Sequence, residues 1–271
     1  MENRRVFLRK TTGVALCTAL TAATACRETT KKTAETTVKT KPSAPSRQCY
    51  EFRHYFLKAG HEAEIDQYFE HILIPAYNRK GIKVGAYKPY KEGENPLRIL
   101  HFIYEDIVAY RNIKHEIWQD SEFTADAKPY FDKSAPNPYF TNIETALCEA
   151  FTGFSTLKQP KPTNTLVELR TYWSPNEEAN QRKISMFNNE EIALFDKIGL
   201  KSACYGEVFA GPRTPALMYL TWYEDMAVHD KNWNDFRTHP DWEIMKKKPQ
   251  YANTATNNRV ELLYVMPYSQ I

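Results

Sequence analysis

Apolar and polar residues alternate in two short segments that lie far apart in the chain. Residues 49–57 read Cys-Tyr-Glu-Phe-Arg-His-Tyr-Phe-Leu, and residues 166–173 read Leu-Val-Glu-Leu-Arg-Thr-Tyr-Trp. Alternation with a period of two residues is typical of a β-strand. Apolar residues at helical spacing follow each segment and predict an amphipathic helix after each strand. We expect these helices to stop at Gly81 and Gly199, because glycine readily adopts the left-handed conformation that ends many helices.

The same order of elements occurs twice. Tyr-Glu-Asp at 104–106 returns at 223–225, and Gly-Ile-Lys at 81–83 returns as Gly-Leu-Lys at 199–201. Matching landmarks at a nearly constant spacing indicate an internal repeat. Each copy continues with a hairpin, a helical stretch and a closing strand, which completes the β-α-β-β-α-β order of a ferredoxin-like unit. The predicted hairpin and closing strands are 83–90, 97–104 and 145–151 in the first copy, and 201–210, 216–223 and 259–266 in the second.

The predicted fold class is α+β, with two tandem ferredoxin-like repeats at 49–158 and 164–268. A ferredoxin-like sheet buries one face under its own helices, and its other face also needs cover. Two copies in one chain can cover each other. We therefore expect the repeats to pack as an intramolecular α+β barrel.

The N-terminal 48 residues are predicted to form an export signal followed by a flexible tether. Residues 1–26 resemble a twin-arginine export signal, with Arg4 and Arg5 before a short, weakly apolar stretch. The Ala-Thr-Ala-Cys sequence that ends at Cys26 resembles a lipobox, which would place a lipid on Cys26; cleavage without lipidation is the alternative. Residues 27–48 form a Thr/Lys/Pro-rich tether with too few apolar residues to fold. We expect an exported bacterial lipoprotein, anchored to a membrane and facing the periplasm.

Composition and charge exclude several classes of protein. The chain is 42% hydrophobic and 25% charged, which suits a globular protein with a real core and excludes a disordered or multispanning one. The net charge of +3 comes from the N-terminal segment, and residues 49–271 are net negative. We therefore expect no nucleic-acid partner.

Cysteines and histidines give little sign of cofactor chemistry. The sequence is compatible with a disulfide between Cys49 and Cys148. It is also compatible with three buried free thiols, at Cys49, Cys148 and Cys204. The histidines lack metal-binding spacing, and the chain has no phosphate-binding glycine loop. The sequence predicts neither a metal nor a cofactor.

The repeated motifs resemble a known family. Tyr-Glu-Phe-Arg-His-Tyr at 50–55 and Val-Glu-Leu-Arg-Thr-Tyr at 167–172 look like the opening strand of NIPSNAP proteins. The Gly-Ile/Leu-Lys helix stops and the Tyr-Glu-Asp strand ends are similar to that family as well. The resemblance implies the dimeric α+β barrel superfamily, which also contains cofactor-free monooxygenases, haem-degrading enzymes and muconolactone-type isomerases. Such a fold does not define a reaction.

Candidate ligand-binding residues lie on the charged face of each opening strand. We expect the more apolar face to pack on the helices, so that the Glu-Arg-Tyr faces point between the two sheets. Arg53 and Arg170 would then hold a carboxylate or enolate. The alternative is structural, with each arginine bridging to its neighbouring glutamate. The second copy offers a more polar wall, because Tyr219 replaces Leu100. The candidate ligand-binding residues are Arg53, Tyr55, Tyr104, Arg170, Tyr172, Tyr219 and Tyr223.

His54 and His101 are the candidate catalytic residues. Both are predicted on the helix-facing side of their strands, where a lone histidine is usually a bonded core residue. If the first and third strands pair, the two rings can meet and form a general acid–base pair.

Two functions are compatible with these features. The first is binding of a small aromatic or enolisable molecule in an enclosed cavity between the sheets, and any catalysis would be of the cofactor-free monooxygenase or isomerase type. The second is a non-enzymatic, lipid-tethered envelope protein that acts in protein interaction or assembly. That function predicts closed interior salt bridges and an exposed apolar patch, and it leaves oligomerisation open.

Overall fold

The computed structural model describes residues 46–133 and 136–271. The predicted export signal, the lipidation site at Cys26 and the tether up to residue 45 lie outside the described residues. Residues 46–48, which were predicted to belong to the tether, instead contact the folded domain: the Gln48 amide donates to the Ser155 carbonyl at 3.0 Å, and Arg47 pairs with Glu149.

Eight antiparallel strands close into a barrel, so the predicted α+β barrel is confirmed. Around the barrel the strands follow the order β1-β3-β2-β8-β5-β7-β6-β4. Their bounds are β1 (Cys49–Leu57), β2 (Lys83–Pro89), β3 (Leu97–Tyr104), β4 (Phe140–Ala150), β5 (Leu166–Trp173), β6 (Lys201–Ala210), β7 (Ala216–Tyr223) and β8 (Asn257–Val265).

The first half (β1 to β4) and the second half (β5 to β8) have the same internal topology. β1 pairs with β3 and β4, and β5 pairs with β7 and β8, which is the strand order of a ferredoxin-like sheet. The two sheets join at β2–β8 and at β4–β6. Each half therefore supplies four neighbouring strands of one closed barrel.

Helices cover the outside of each sheet. The repeated Tyr-Glu-Asp landmark ends a strand and starts a helix: the Asp106 carboxylate accepts from the Ala109 amide, and the Asp225 carboxylate accepts from the Val228 amide. The helices are α1 (Glu62–Tyr68), α2 (Ile74–Asn78), α3 (Ile107–Glu116), α4 (Ser121–Asp126), α5 (Lys128–Phe131), α6 (Glu177–Met186), α7 (Ile192–Ile198), α8 (Met226–Thr238) and α9 (Pro240–Met245). One π-helical segment joins α1 to α2 (Phe69–Leu73), another joins α6 to α7 (Phe187–Glu191), and 3₁₀ turns cover Ile117–Gln119 and Pro249–Tyr251.

Buried apolar residues form three layers. One layer fills the barrel interior with side chains from both halves, such as Phe52 from β1 and Leu169 from β5. The other two lie between each sheet and its own helices. In the described part of the chain, no helix combines the length and apolarity needed to cross a bilayer.

The predicted orientation of the opening strands is wrong. Tyr50 and Phe52 point into the barrel, whereas Arg53 and Tyr55 face the helices. The physical reason is the closed barrel. Eight paired strands leave its interior no open side, and the more apolar face of each opening strand turns inward, where Phe52 and Leu169 pack together. The helix layers can instead admit charged side chains that reach them from the helices, as Lys114 does in the first half.

The two candidate histidines also lie inside the barrel, not on the helix side. β1 and β3 do pair, but the register places His101 opposite Phe52, and the two rings stack at 4.1 Å. Neither ring nitrogen of His101 has a hydrogen-bond partner among the described residues, and burial lowers the pKa of His101 to about 3. His54 binds Glu261 at 3.2 Å and Arg259 at 3.3 Å. No hydrogen bond therefore joins the two histidines, and the predicted acid–base pair is not formed.

The cysteines within the described residues are free thiols. Cys49 points toward the helices and Cys148 into the barrel, so they lie on opposite faces of one sheet and cannot form a bridge. Cys204 lies in the barrel interior.

Candidate functional site

The barrel interior has little room for a ligand. A cavity of about 50 Å³ lies at one end, beside Glu144, Thr171 and Arg259. Small-molecule pockets usually measure ~300–1,000 Å³. The space predicted between the two sheets is instead occupied by packed side chains. The interior cavity is therefore far smaller than a usual ligand pocket.

In the first half, the charged residues satisfy one another. Arg53 donates to both oxygens of Glu51 at 2.7 and 2.8 Å and to the Tyr77 hydroxyl at 2.8 Å. The Tyr104 hydroxyl donates to Glu51 at 2.8 Å, and the Lys114 ammonium lies 3.7 Å from that carboxylate. Burial alone would raise the pKa of Glu51, but the neighbouring Arg53 and Lys114 and the bonded hydroxyl lower it. This first-half cluster (Glu51, Arg53, Tyr77, Tyr104 and Lys114) is closed and fits the structural alternative.

In the second half, the equivalent arginine makes a different set of hydrogen bonds. Arg170 donates from Nε to Glu168 and from Nη1 to the Tyr172 hydroxyl at 3.2 Å. Within the described residues, its Nη2 has no acceptor. The Trp233 ring lies 3.7 Å from the guanidinium carbon of Arg170, and the Trp233 Nε1–H makes no hydrogen bond with a described residue, although the Tyr223 hydroxyl is nearby. Donors therefore remain available beside Arg170.

His229 contacts the second oxygen of the Glu168 carboxylate. His229 Nε2 lies 2.9 Å from Glu168, and its Nδ1 lies 2.8 Å from Asp230. Burial of the ring by itself lowers the pKa of His229, but the contacts with these two carboxylates outweigh it and raise the pKa above its ordinary value. The ring also meets Tyr223 edge-on at 4.8 Å.

A buried ion pair lies next to these residues. The Lys183 ammonium lies 3.0 Å from Glu191, and both side chains are less than a tenth exposed. Aromatic rings surround the ammonium, with Phe187 at 4.8 Å and Tyr172 at 5.5 Å. Lys183 precedes its π segment by four residues and Glu191 ends it. The same positions in the first half are Ile65 and Leu73, which are both apolar.

The sheet surface under the second-half helices is also more polar. Tyr219 stands opposite Arg170 in the β5–β7 register, where Leu100 stands opposite Arg53 in the first half. The Tyr219 and Tyr172 rings stack at 5.8 Å, with hydroxyls 3.4 Å apart. Burial raises the pKa of Tyr219, which keeps its hydroxyl a donor. The second-half cluster consists of Glu168, Arg170, Tyr172, Lys183, Glu191, Tyr219 and His229.

The segment that carries this cluster belongs to a known domain family. Residues 167–270 match the NIPSNAP family model. The chain contains a NIPSNAP domain. The resemblance seen in the sequence is thereby confirmed, and the domain covers the strands and helices that hold the second-half cluster.

Solved structures share the fold of the whole barrel. A candidate monooxygenase from Fusobacterium nucleatum is 12% identical, with a TM-score of 0.57, and the match covers 81% of this chain and 93% of the other. A second one, from Lactobacillus acidophilus, is 11% identical with a TM-score of 0.53, covering 81% and 94%. An anthrone oxidase-like protein is 8% identical with a TM-score of 0.52, covering 81% and 92%. At these identities the likeness shows the fold alone. No curated protein matches the sequence.

The structure divides the predicted ligand-binding residues between two separate layers. Arg170, Tyr172 and Tyr219 meet in the NIPSNAP domain, as the more polar second copy indicated, whereas Tyr223 binds the Thr221 hydroxyl at 2.9 Å. The first-half candidates lie under the other helix layer: Arg53 and Tyr104 join the first-half cluster, and Tyr55 packs on Phe69. The single cavity wall predicted for Arg170, Tyr172, Tyr219 and Tyr223 between the sheets is therefore wrong.

Sequence reasoning missed Lys183, Glu191 and His229 of the NIPSNAP domain. A signal for the first two was present, because they occupy positions on the buried side of a helix where the other repeat has Ile65 and Leu73. Comparing the repeats position by position through their helices would have found them. His229 gave no such signal, because no local sequence pattern connects it to Glu168 on a distant strand.

Proposed function

We propose that the protein binds a small aromatic or enolisable molecule in the helix layer of its NIPSNAP domain. The difference between the two halves carries this proposal. The first half forms the same fold with Ile65, Leu73 and Leu100 at positions where the second half has Lys183, Glu191 and Tyr219. Burying polar groups costs stability, and the fold does not need them there. Their presence in one half alone therefore favours a role in binding.

The chemistry of the second-half cluster suits an oxygen that carries negative charge. The Nη2 of Arg170 and the hydroxyl of Tyr172 are donors for a carboxylate, phenolate or enolate. The rings of Trp233 and Tyr219 offer aromatic surface beside them. Stabilising an enolate assists both isomerisation and cofactor-free oxygenation, and we extend the proposal to that class of reaction. The fold shared with candidate monooxygenases supports the class only by analogy.

Binding requires some movement, because the side chains of the cluster are in contact. Lys183 lies in α6, four residues before the π segment begins, and Glu191 is the last residue of that segment. Such π segments occur frequently at functional sites. We propose that α6 shifts away from the sheet when the ligand binds, which separates the Lys183 ammonium from the Tyr172 ring.

Tyr172→Phe should weaken ligand binding at least ~10-fold, because it removes one donor to a charged oxygen. Tyr55→Phe changes the equivalent position of the first half and is the matched control. The measurement is the change in tryptophan fluorescence, to which Trp233 contributes, on titration with anthrone, acetylacetone and salicylate. If none of the three binds the unmodified protein, or if both variants bind equally well, the proposed site is wrong.

A second candidate function is assembly by a lipid-tethered envelope protein. Two observations favour it: the closed first-half cluster, and an apolar groove of about 440 Å³ at the β2–β8 junction. Val260 and Tyr264 on β8 are 45% and 38% exposed. In this proposal Cys26 carries the lipid, the protein lies at the periplasmic side of a bacterial membrane, and another copy of the chain covers the groove.

Cys26→Ala tests the tether and provides soluble protein for the assembly question. We expect the variant to move from the membrane to the soluble fraction, since it loses its lipid, while Cys17→Ala should stay with the membrane. Light scattering on the released protein should then give the mass of a dimer or larger. A variant that stays in the membrane fraction contradicts the tether, and a monomer at ~100 μM contradicts the assembly function.

A further inference from the structure

Both ring nitrogens of His229 face carboxylates. Nε2 lies 2.9 Å from a Glu168 oxygen, and Nδ1 lies 2.8 Å from an Asp230 oxygen. A neutral imidazole carries one N–H and one lone pair, so it can satisfy only one of these acceptors. An imidazolium donates to both. The geometry therefore favours the charged form of His229.

The first half has no counterpart to this group. The His229 amide donates to Asp225 at 3.1 Å, as the Tyr110 amide donates to Asp106 at 3.1 Å, so His229 and Tyr110 occupy equivalent positions. In the first half, the additional positive charge beside the carboxylate is Lys114, whose pKa burial and the nearby Arg53 lower from the ordinary lysine value. The second half has a group that titrates near neutral pH instead.

His229 also changes how the neighbouring arginine is used. Arg53 donates to both oxygens of Glu51. In the second half, His229 occupies one oxygen of Glu168, and Arg170 donates to the other through Nε alone. The Nη2 of Arg170 is therefore left without an acceptor among the described residues.

We propose that His229 is a proton-controlled positioning residue, which as an imidazolium holds Glu168 and leaves Arg170 free to bind an anionic ligand. This inference rests on the function proposed above and names the charge of its ligand. With His229 protonated, Glu168, Arg170 and His229 carry one net positive charge. Loss of the proton removes that charge and weakens the contact of His229 with the second oxygen of Glu168, which can then accept from Arg170 as the Glu51 carboxylate accepts from Arg53.

Few other charged groups act on the His229 ring. Glu168 and, through the shared carboxylate, Arg170 face it from β5. The Tyr223 ring faces it from β7, and Asp230 faces it from its own helix. Asp230 is mostly exposed, so Glu168 is the partner through which protonation reaches the site.

Binding of salicylate, an aromatic anion, between about pH 5 and 9 tests the proposal. We expect the affinity of the unmodified protein to fall ~10-fold as the pH rises through the His229 pKa. His229→Gln should bind weakly at every pH, and His229→Lys, which places an ammonium beside the carboxylate as Lys114 does in the first half, should bind tightly without the pH dependence of the histidine. A pH dependence that survives in His229→Gln overturns the proposal.

Nitrogen NMR of the ligand-free protein tests the same proposal without any ligand. At pH 6 both ring nitrogens of His229 should be protonated, and the Arg170 Nε resonance should move as His229 titrates. A neutral His229 ring at pH 6 overturns the proposal even if salicylate binds. So does an Arg170 Nε resonance whose chemical shift stays constant while His229 titrates. Conversely, the expected NMR result without binding of any probe contradicts the proposed function and keeps the link between His229 and Arg170.

Discussion

Replacing Arg53 with methionine should lower the free energy of unfolding by about 3–5 kcal/mol. The substitution keeps much of the side-chain volume but leaves the Glu51 carboxylate, which is 1% exposed, without its main partner. An unpaired buried charge is among the most destabilising defects a folded protein can contain. Urea denaturation followed by circular dichroism measures the change.

Arg79→Met is the control for this prediction. Arg79 pairs with Asp120 and Glu122 on the surface, and its side chain is 34% exposed. Exposed pairs contribute about 0–1 kcal/mol, so the control should lose little stability. Equal effects of Arg53→Met and Arg79→Met would show that the first-half cluster does not stabilise the fold. The double variant Glu51→Gln/Arg53→Met should recover part of the loss, because it removes the buried charge as well.

Phe52→Ala should cost about 3–5 kcal/mol of folding free energy as well. Phe52 is 1% exposed in the barrel interior and stacks on His101 at 4.1 Å. Side chains from both halves pack around Phe52 in the barrel interior. The surrounding structure therefore cannot easily collapse into the cavity that the substitution leaves. Thermal unfolding should show a lower midpoint with the transition still cooperative, since the two halves share one core.

Phe209→Ala is the matched control for the barrel core. Phe209 lies on β6 and is 46% exposed, so its loss should change stability by less than ~1 kcal/mol. Separate unfolding transitions for the two halves of Phe52→Ala would contradict a shared core. A loss of stability no larger than that of Phe209→Ala would contradict the packing described for the interior.

The repeat and its elements could be read from the sequence because they depend on local patterns. The strands begin and end within a few residues of the predicted bounds, although β4 starts at Phe140, earlier than the predicted 145. Gly81 and Gly199 have positive φ angles of 77° and 79°, as expected where the helices stop. Period and landmark spacing carry this information without any knowledge of distant contacts.

The position of the candidate site was harder to predict. Alternation shows that Arg53 and Phe52 lie on opposite faces, but it does not show which face meets the helices. The greater polarity of the second copy, noted at Tyr219 and Leu100, was predicted for a wall between the sheets, whereas both residues face the helix layers. His229 comes from a helix more than fifty residues along the chain from Glu168, and no local pattern links the two residues.

The order of strands and helices, the duplication and the NIPSNAP domain were thus determined by the sequence by itself, because periodicity and motif spacing survive without tertiary context. Only the tertiary structure decided that the charged faces turn outward to the helices. Closing the barrel places the more apolar face of each opening strand in the interior between the two sheets, where Phe52 and Leu169 pack together. The same closure separates the arginines into two clusters, one in which Arg53 donates to both oxygens of Glu51 and one in which Arg170 shares the Glu168 carboxylate with His229.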